Sequence, residues 1–287
     1  MELANTTEPV IRLTENIQLP ISIKEKIAFA LTKLPDRLLK HYGHQLIDKK
    51  TAQQTAHYLS ETYQDDSFSE LAFHLYAATL SWKEIYQPLT IPTTIYLATM
   101  KAFTRFTKER LAVGAEAQFD RGRWTWRYLC GAAYRIDELE FEMQLPPYSN
   151  KQPELDGKPA LSIHIPSDAQ LDSKMLKQTY REAIAFFARY FPEYHYTAMY
   201  TDTWLLSPQL AQWLNPTAKI VRFAKDYQLL QIEPEKDDGI AWIFHRLDRQ
   251  IDTYPQHTSL QRAAKKSLLQ GEHIGSALGI LQIDNFK

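Results

Sequence analysis

Residues 161–180 read LSIHIPSDAQLDSKMLKQTY, and the fold turns on how they are read. Leu161, Ile163 and Ile165 alternate with Ser162 and His164, the period-two pattern of a strand. A short loop follows, and a helical pattern opens near Asp172. Met175, Leu176, Tyr180, Ala183, Ile184, Phe187 and Phe191 share one face of that helix. A strand feeding a loop and then a helix start is a natural anion site, because unpaired N–H groups and the positive helix end point there. This loop, however, has no glycine and carries Asp168 and Asp172. Ser167, Asp168 or Asp172 as a cap would satisfy the same N–H groups, a gain of about 1 kcal/mol. A carboxylate about 5 Å from a phosphate repels it by roughly 1–3 kcal/mol, about a five- to hundred-fold loss of affinity. Phosphate cradle and capped helix compete for one set of donors.

Working outward, ELEFEMQL (138–145) alternates strictly, with Glu138, Glu140, Glu142 and Gln144 opposite Leu139, Phe141, Met143 and Leu145. That predicts a half-buried strand whose glutamates form the wet side. PPYSNKQPELDGKP (146–159) reads as a turn-rich loop. YTAMYTDTWLL (196–206) reads as a long strand, with Tyr196, Ala198, Tyr200, Asp202, Trp204 and Leu206 on one face. SPQLAQWL and TAKIVRFAKDY read as short helices, YQLLQI and GIAWIFHRL as further strands, and SLQRAAKKSLLQG as a late helix before GSALGIL and a tail.

Upstream the texture is helical from Ile23 to about Leu111. DRLLKHYG ends at Gly43, read as a glycine just past a helix end. Phe68, Leu71, Ala72, Leu75, Ala78, Trp82, Ile85 and Tyr86 recur at helical steps as one apolar face. Pro88 closes that helix, and Pro92 opens TTIYLATMKAFTRFTKERL, whose Lys101, Arg105, Lys108 and Arg110 predict a solvated basic face. Residues 1–20, with Pro9 and Pro20, read as extended. The fold class is therefore α+β: an all-helical front over 1–115 and an α+β part over 116–287.

The bulk numbers agree with a globular chain of 287 residues, 44% hydrophobic and 23% charged. Lys plus Arg number 33 against 34 Asp plus Glu, so no net field draws nucleic acid or an acidic membrane. No apolar run approaches the roughly 18–20 residues of a bilayer span. MELANTTEPVIRL lacks the basic and apolar regions of a secretory signal. One cysteine, Cys130, excludes an internal disulfide and a multi-cysteine zinc site. The expectation is a cytoplasmic protein.

HIPSDAQLD, the helix with FFARYFPE, TDTWLLSPQLAQWL, IVRFAKDYQL and TSLQRAAKKSLLQG with GSALGIL resemble the GNAT-like C-terminal domain of a family of bacterial acyltransferase-domain proteins. RWTWRYLCGAAYRIDELEFEM (123–143) resembles the start of that domain, and residues 1–115 look like its helical companion. The resemblance implies a mixed, largely antiparallel sheet flanked by helices, with acyl-coenzyme A between two splayed central strands. It implies that the loop from Ile165 through Ser167, Asp168, Ala169 and Gln170 meets the coenzyme's pyrophosphate. The usual loop pattern there, Q/R-x-x-G-x-G/A, is not kept: IPSDAQLD has neither glycine.

Within that frame His164, on the Ser162 face of its strand, is a candidate proton acceptor for an attacking amine. Asp202, expected partly buried between aromatics, is a second candidate base. Tyr227 is a candidate acid for the departing thiolate, and Trp204 lies where the resemblance places the pantetheine arm. Each competes with a structural role in strand or core. RWTWR interleaves aromatic and basic residues as single-strand binders do, but with no wider basic surface it reads as packing and ion pairing. His41 and His44 lack further ligands, so no metal is expected. The leading reading is an N-acyltransferase acting on a small-molecule or peptide amine with acetyl- or another acyl-CoA. The other is a non-catalytic binding or interaction module that kept the sheet and lost the coenzyme loop.

Overall fold

The computed structural model describes residues 6–145, 155, 157–246, 248–281, 283 and 286. The reading of 146–159 as a turn-rich loop and that of the C-terminal tail fall largely outside these residues. The chain divides into two compact units, 1–136 and 137–287.

The first unit is helical from its start. Helix α1 (Thr7–Asn16) replaces the extended segment expected there. Pro9 sits in its first turn, where a missing N–H costs nothing, and Val10, Leu13 and Ile17 are buried at helical spacing. Gln18, at φ 60°, ends it. Helix α2 (Ile21–Lys33) follows, then α3 (Asp36–Ile47), which runs through Gly43 rather than ending there. The glycine serves a close approach: a Cβ on Gly43 would stand 2.7 Å from the Tyr76 ring. Helix α4 (Ala52–Thr62) leads to α5 (Ser67–Ser81), capped by Asp66 and continued by a π-helical turn, Trp82–Tyr86. Every position from Ser69 to Ser81 is buried. The single apolar face expected for α5 is thus an underestimate, since Phe73, His74, Tyr76 and Ala77 fill the opposite side of a helix packed all round.

The long helix expected after Pro92 is two, α6 (Thr93–Met100) and α7 (Ala102–Ala112), hinged at Lys101. Its basic residues are not one solvated face: Arg105 is buried beside Glu109, and Arg110 is paired to Asp120 at 2.9 Å. Helix α8 (Gly122–Leu129) contains RWTWR. Arg127 lies over the rings of Trp124 and Trp126, at 4.2 and 4.6 Å, and Arg123 pairs with Glu61. The aromatic–basic interleaving is packing. Strand β1 (Ala133–Ile136) closes the unit, with Arg135 N donating to Thr99 Oγ1.

The second unit carries β2 (Leu139–Gln144), β3 (Ala160–His164), α9 (Ser173–Tyr190), β4 (Ala198–Thr203), α10 (Pro208–Trp213), α11 (Lys219–Ala224), β5 (Tyr227–Glu233), α12 (Gly239–Phe244), α13 (Ser259–Leu269) and β6 (Ser276–Leu281). Within this unit the strand order is β2-β3-β4-β6-β5. β2 pairs antiparallel with β3, β3 parallel with β4, and β6 antiparallel with both β4 and β5, so the sheet is mixed and largely antiparallel.

Two strand expectations fail. GIAWIFHRL begins as helix α12, because Ile240, Ile243 and Phe244 are buried together at helical spacing and His245 ends the turn at φ 52°. The strand from Tyr196 stops at Thr203. Trp204–Leu206 turn away as a 3₁₀ helix capped by the Thr203 hydroxyl, and Trp204 packs into a core of Ile240, Ile243, Phe244, Tyr254, Leu268 and Ile274. GSALGIL becomes β6, a strand inside the sheet between β4 and β5.

Candidate active site

Strands β3 and β4 run side by side only briefly. Their register pairs Ala160 with Ala198, Leu161 with Met199 and Ser162 with Tyr200, and goes no further. β3 nevertheless continues to His164 and β4 to Thr203. On its other edge β4 pairs with β6 from Tyr200 to Thr203, Tyr200 to Ile280 and Asp202 to Leu278, while its β3 edge has no further partner in register. The two parallel strands therefore part at their carboxyl ends, and such a place opens a crevice in a sheet.

Cross-strand partners share a face. Glu140 opposes His164, Glu142 opposes Ser162, and Ser162 opposes Tyr200. Alternation then puts Glu140, Glu142, Ser162, His164, Tyr200 and Asp202 on one face of the sheet. The glutamates were expected on its wet side. Instead Glu140 is 2% and Glu142 5% exposed. A carboxylate tolerates burial when donors meet it, and Glu142 Oε2 lies 2.8 Å from His164 Nε2 and 3.2 Å from Gln144 Nε2. Tyr200 lies next to them. Burial, tempered by a hydrogen bond with Ser162, pushes its hydroxyl up to about 12. Tyr194 braces the strands beneath, its hydroxyl 2.8 Å from Ala160 O and 3.0 Å from Gln144 O.

His164 keeps 22% of its side chain in solvent. Asp202, expected partly buried, is exposed, with Lys236 Nζ 3.6 Å away and the Ser276 hydroxyl donating to it at 3.3 Å. Of the two aromatics expected to flank it, Tyr200 stays on the same face, but the strand ends one residue later and carries Trp204 into the core. Tyr227 opens β5, and its hydroxyl lies 3.2 Å from that of Tyr180. Burial raises it well above the ordinary tyrosine value.

The turn after β3 is held by hydrogen bonds of its own. Ala169 N donates to Pro166 O, and Gln170 N to Glu138 Oε2 at 2.6 Å. Asp172 caps α9 by accepting from Lys174 N and Met175 N, at 3.0 and 3.4 Å. Glu138 follows Asp137, which turns the β1–β2 connection at φ 50° and accepts from Thr179 Oγ1 on α9. Ile165, Ser167, Asp168, Ala169 and Gln170 thus form a braced turn beside the mouth where β3 and β4 part.

The structure brings His164 and Asp202 to one face at that mouth, and places Tyr227 and Trp204 in core packing. Glu142 is what the sequence reading missed. The signal was present: pairing ELEFEM with ALSIHI as neighbouring antiparallel strands sets those glutamates against Ser162 and His164. Among the described residues no group of three or more His, Cys, Asp or Glu is arranged to hold a metal ion, and no helix is long and apolar enough to cross a membrane.

Solved structures of similar fold are acyltransferases. One, described as an acyltransferase in complex with decanoyl-CoA and teicoplanin, superposes with a TM-score of 0.77 at 22% identity, covering 96% of this chain and 87% of that one. Another, an acyltransferase in complex with decanoyl-CoA, gives 0.75 at 23%, covering 94% and 86%. A comparison with curated protein sequences gave no match. Residues 7–131 match the family model of an N-acyltransferase N-terminal domain. Residues 133–281 match that of a GNAT-like C-terminal domain, and the chain belongs to that family.

Proposed function

We propose that the protein is an N-acyltransferase, moving an acyl group from acyl-coenzyme A to an amine acceptor by direct attack. One observation carries the reading: β3 and β4 separate after the Ser162–Tyr200 pair, with His164 at the mouth of the gap. The pantetheine arm enters that gap and the thioester lies along β4. The acceptor nitrogen attacks the carbonyl carbon; the C–N bond forms and the C–S bond breaks. His164 takes the amine proton, and the departing thiolate recovers one to become the free thiol. Burial holds the Tyr227 proton in place, so the thiolate's proton is assigned to the His164 imidazolium. Asp202, at the edge with Lys236, is positioned to attract the incoming ammonium. The turn Ile165–Gln170 receives the diphosphate. The similar acyltransferase with teicoplanin in its complex makes a large peptide amine a suitable first acceptor to test.

A second reading, a sheet that binds without catalysing, is favoured by one observation. The N–H groups of Ala169, Gln170, Lys174 and Met175 already have acceptors. Isothermal titration with acetyl-CoA and decanoyl-CoA separates the two. Binding that Ser167→Glu weakens is the expected result. No heat at millimolar ligand would leave the binding module.

A further inference from the structure

The acyl-transfer scheme uses residues of the second unit alone, yet the first unit holds a cavity of its own, of about 190 Å³ and partly open to water. Ser60 on α4, Glu70 on α5, Asp120 ahead of α8 and Arg123 within it line this cavity, together with Gln64 and Gln118. Glu70 is the misfit. A carboxyl so deeply buried is ordinarily met by a cation or by several donors. Among the described residues Glu70 meets one donor, the Ser60 hydroxyl on Oε1, and Oε2 has no partner. His74 Nε2, 4.0 Å from Oε1, is held neutral by burial. The carboxyl is nevertheless built into its place, because only the missing Cβ of Gly122 leaves room for Oε1. A desolvated acid without a counter-charge on the wall of an open cavity is the mark of a binding site.

We propose that this cavity binds a small primary ammonium ion, with Glu70 as its counter-charge. The other two charged residues of the wall are already paired: Asp120 with Arg110 at 2.9 Å, and Arg123 with Glu61 at 3.0 Å. Glu70 is left as the lining charge without a partner of opposite sign, so the cavity selects a cation. An ammonium donates three N–H bonds, and Glu70, Gln64 and Ser67, all residues of the wall, carry acceptor oxygens. The volume sets the size, since a cavity of about 150 Å³ holds a benzene. Burial pushes the Glu70 carboxyl up to about 7. Below that pH the ligand displaces a proton: the Glu70 O–H bond breaks, the proton passes to the buffer, and the carboxylate pairs with the ammonium. Above it no proton moves. The groups that face Glu70 are the Ser60 hydroxyl from α4, His74 from its own helix, and Asp120 and Arg123 with their partners Arg110, Arg121 and Glu61. His74, pushed down to about 3, keeps its neutral form throughout that range. The site uses nothing of the acyl-transfer reading and stands or falls without it.

Isothermal titration of the full chain with ethylammonium chloride, at constant chloride, tests the proposal. The expected result is one saturable site with a Kd of about 1 mM, near the ceiling for so small a ligand. Kd should be level above pH 7 and rise about tenfold per pH unit below it. In that lower range one proton should be released per cation bound, read from the heats in two buffers of different ionisation enthalpy. Glu70→Gln should weaken binding by about tenfold or more and abolish the proton release. Tetramethylammonium, which has no N–H to donate, should bind about tenfold more weakly than ethylammonium. No saturable heat with the wild type, binding of acetate in place of ethylammonium, or equal affinity in Glu70→Gln overturns the proposal. Equal affinity for tetramethylammonium overturns it too, since the effect would then be one of bulk charge.

Discussion

Glu70 in the first unit and Glu142 in the second are both buried beside a histidine, and their surroundings make them opposites. In α5, Glu70 and His74 lie four residues apart, Oε1 4.0 Å from Nε2. His74 is fully buried, Glu70 is 3% exposed, and among the described residues His74 Nε2 has no hydrogen-bond partner. Burial pushes Glu70 up to about 7 and His74 down to about 3. Desolvation has removed both charges rather than letting them pair. In the sheet, Glu142 and His164 meet at 2.8 Å, and the imidazole keeps part of its surface in water. Closeness of a carboxyl to an imidazole does not make a base.

The largest stability effect that tests this contrast is in α5. A carboxyl whose folded pKa lies above its unfolded value stabilises the fold at low pH and loses that contribution as pH rises through the folded value. For Glu70 the window runs from 4.5 to about 7. His74 has the opposite sign: its folded value is depressed, so its contribution is full above 6.5 and is lost as pH falls towards about 3. Between 4.5 and 6.5 the two slopes cancel. Glu70→Gln removes one of them. The stability of the variant minus that of the wild type should be flat below pH 4.5, then rise by roughly 1.4 kcal/mol per pH unit to a total of about 3 kcal/mol near pH 7. Arg123 and Asp120 face the same carboxyl with opposing influence, and the Ser60 hydroxyl donates to it. Denaturant unfolding across that range measures the difference. A flat curve would mean that Glu70 ionises as an ordinary carboxyl, and the opposition between the two pairs would be gone.

A smaller effect sharpens the same point. A Cβ on Gly122 would lie 1.7 Å from Glu70 Oε1 and 2.7 Å from Ser60 Oγ. Gly122→Ala should cost about 2 kcal/mol by overpacking, and a Glu70→Ala background should relieve most of it. Additive effects in the double mutant would show that Glu70 swings aside freely.

How much of this was legible follows from what each signal depends on. Helix α9 and strands β2 and β3 could be read because alternation and helical spacing are local. Between Pro9 and Pro20 the stretch IRLTENIQL shows too little period to read as a helix, although a proline in the first turn is compatible with one and Val10, Leu13 and Ile17 are buried along α1. GIAWIF is too short for period to separate strand from helix, and packing against Tyr254 and Leu268 decides it. Trp204 continues a perfect alternation in sequence, yet the Thr203 hydroxyl caps a turn and sends it into the core. For the site, His164 and Asp202 were visible as polar residues on apolar strands. The burial of Glu142 was not, since alternation tells which side a residue takes but not whether water reaches that side.

The smallest predicted effect bears on a third carboxylate, Asp172, which meets neither a histidine nor a core but two helix amides. Asp172→Ala should cost about 1 kcal/mol of stability, the ordinary value of an N-cap. It also frees Lys174 N and Met175 N and removes a negative charge beside the turn. If amides and phosphate compete there, affinity for acyl-CoA should rise several-fold as stability falls, because the repulsion of a carboxylate about 5 Å from a phosphate is roughly 1–3 kcal/mol. Titration and unfolding on the same sample read both. A fall in both would mean that the capped turn is itself the binding form, its acidic residues holding the loop open for a ligand instead of occupying its place.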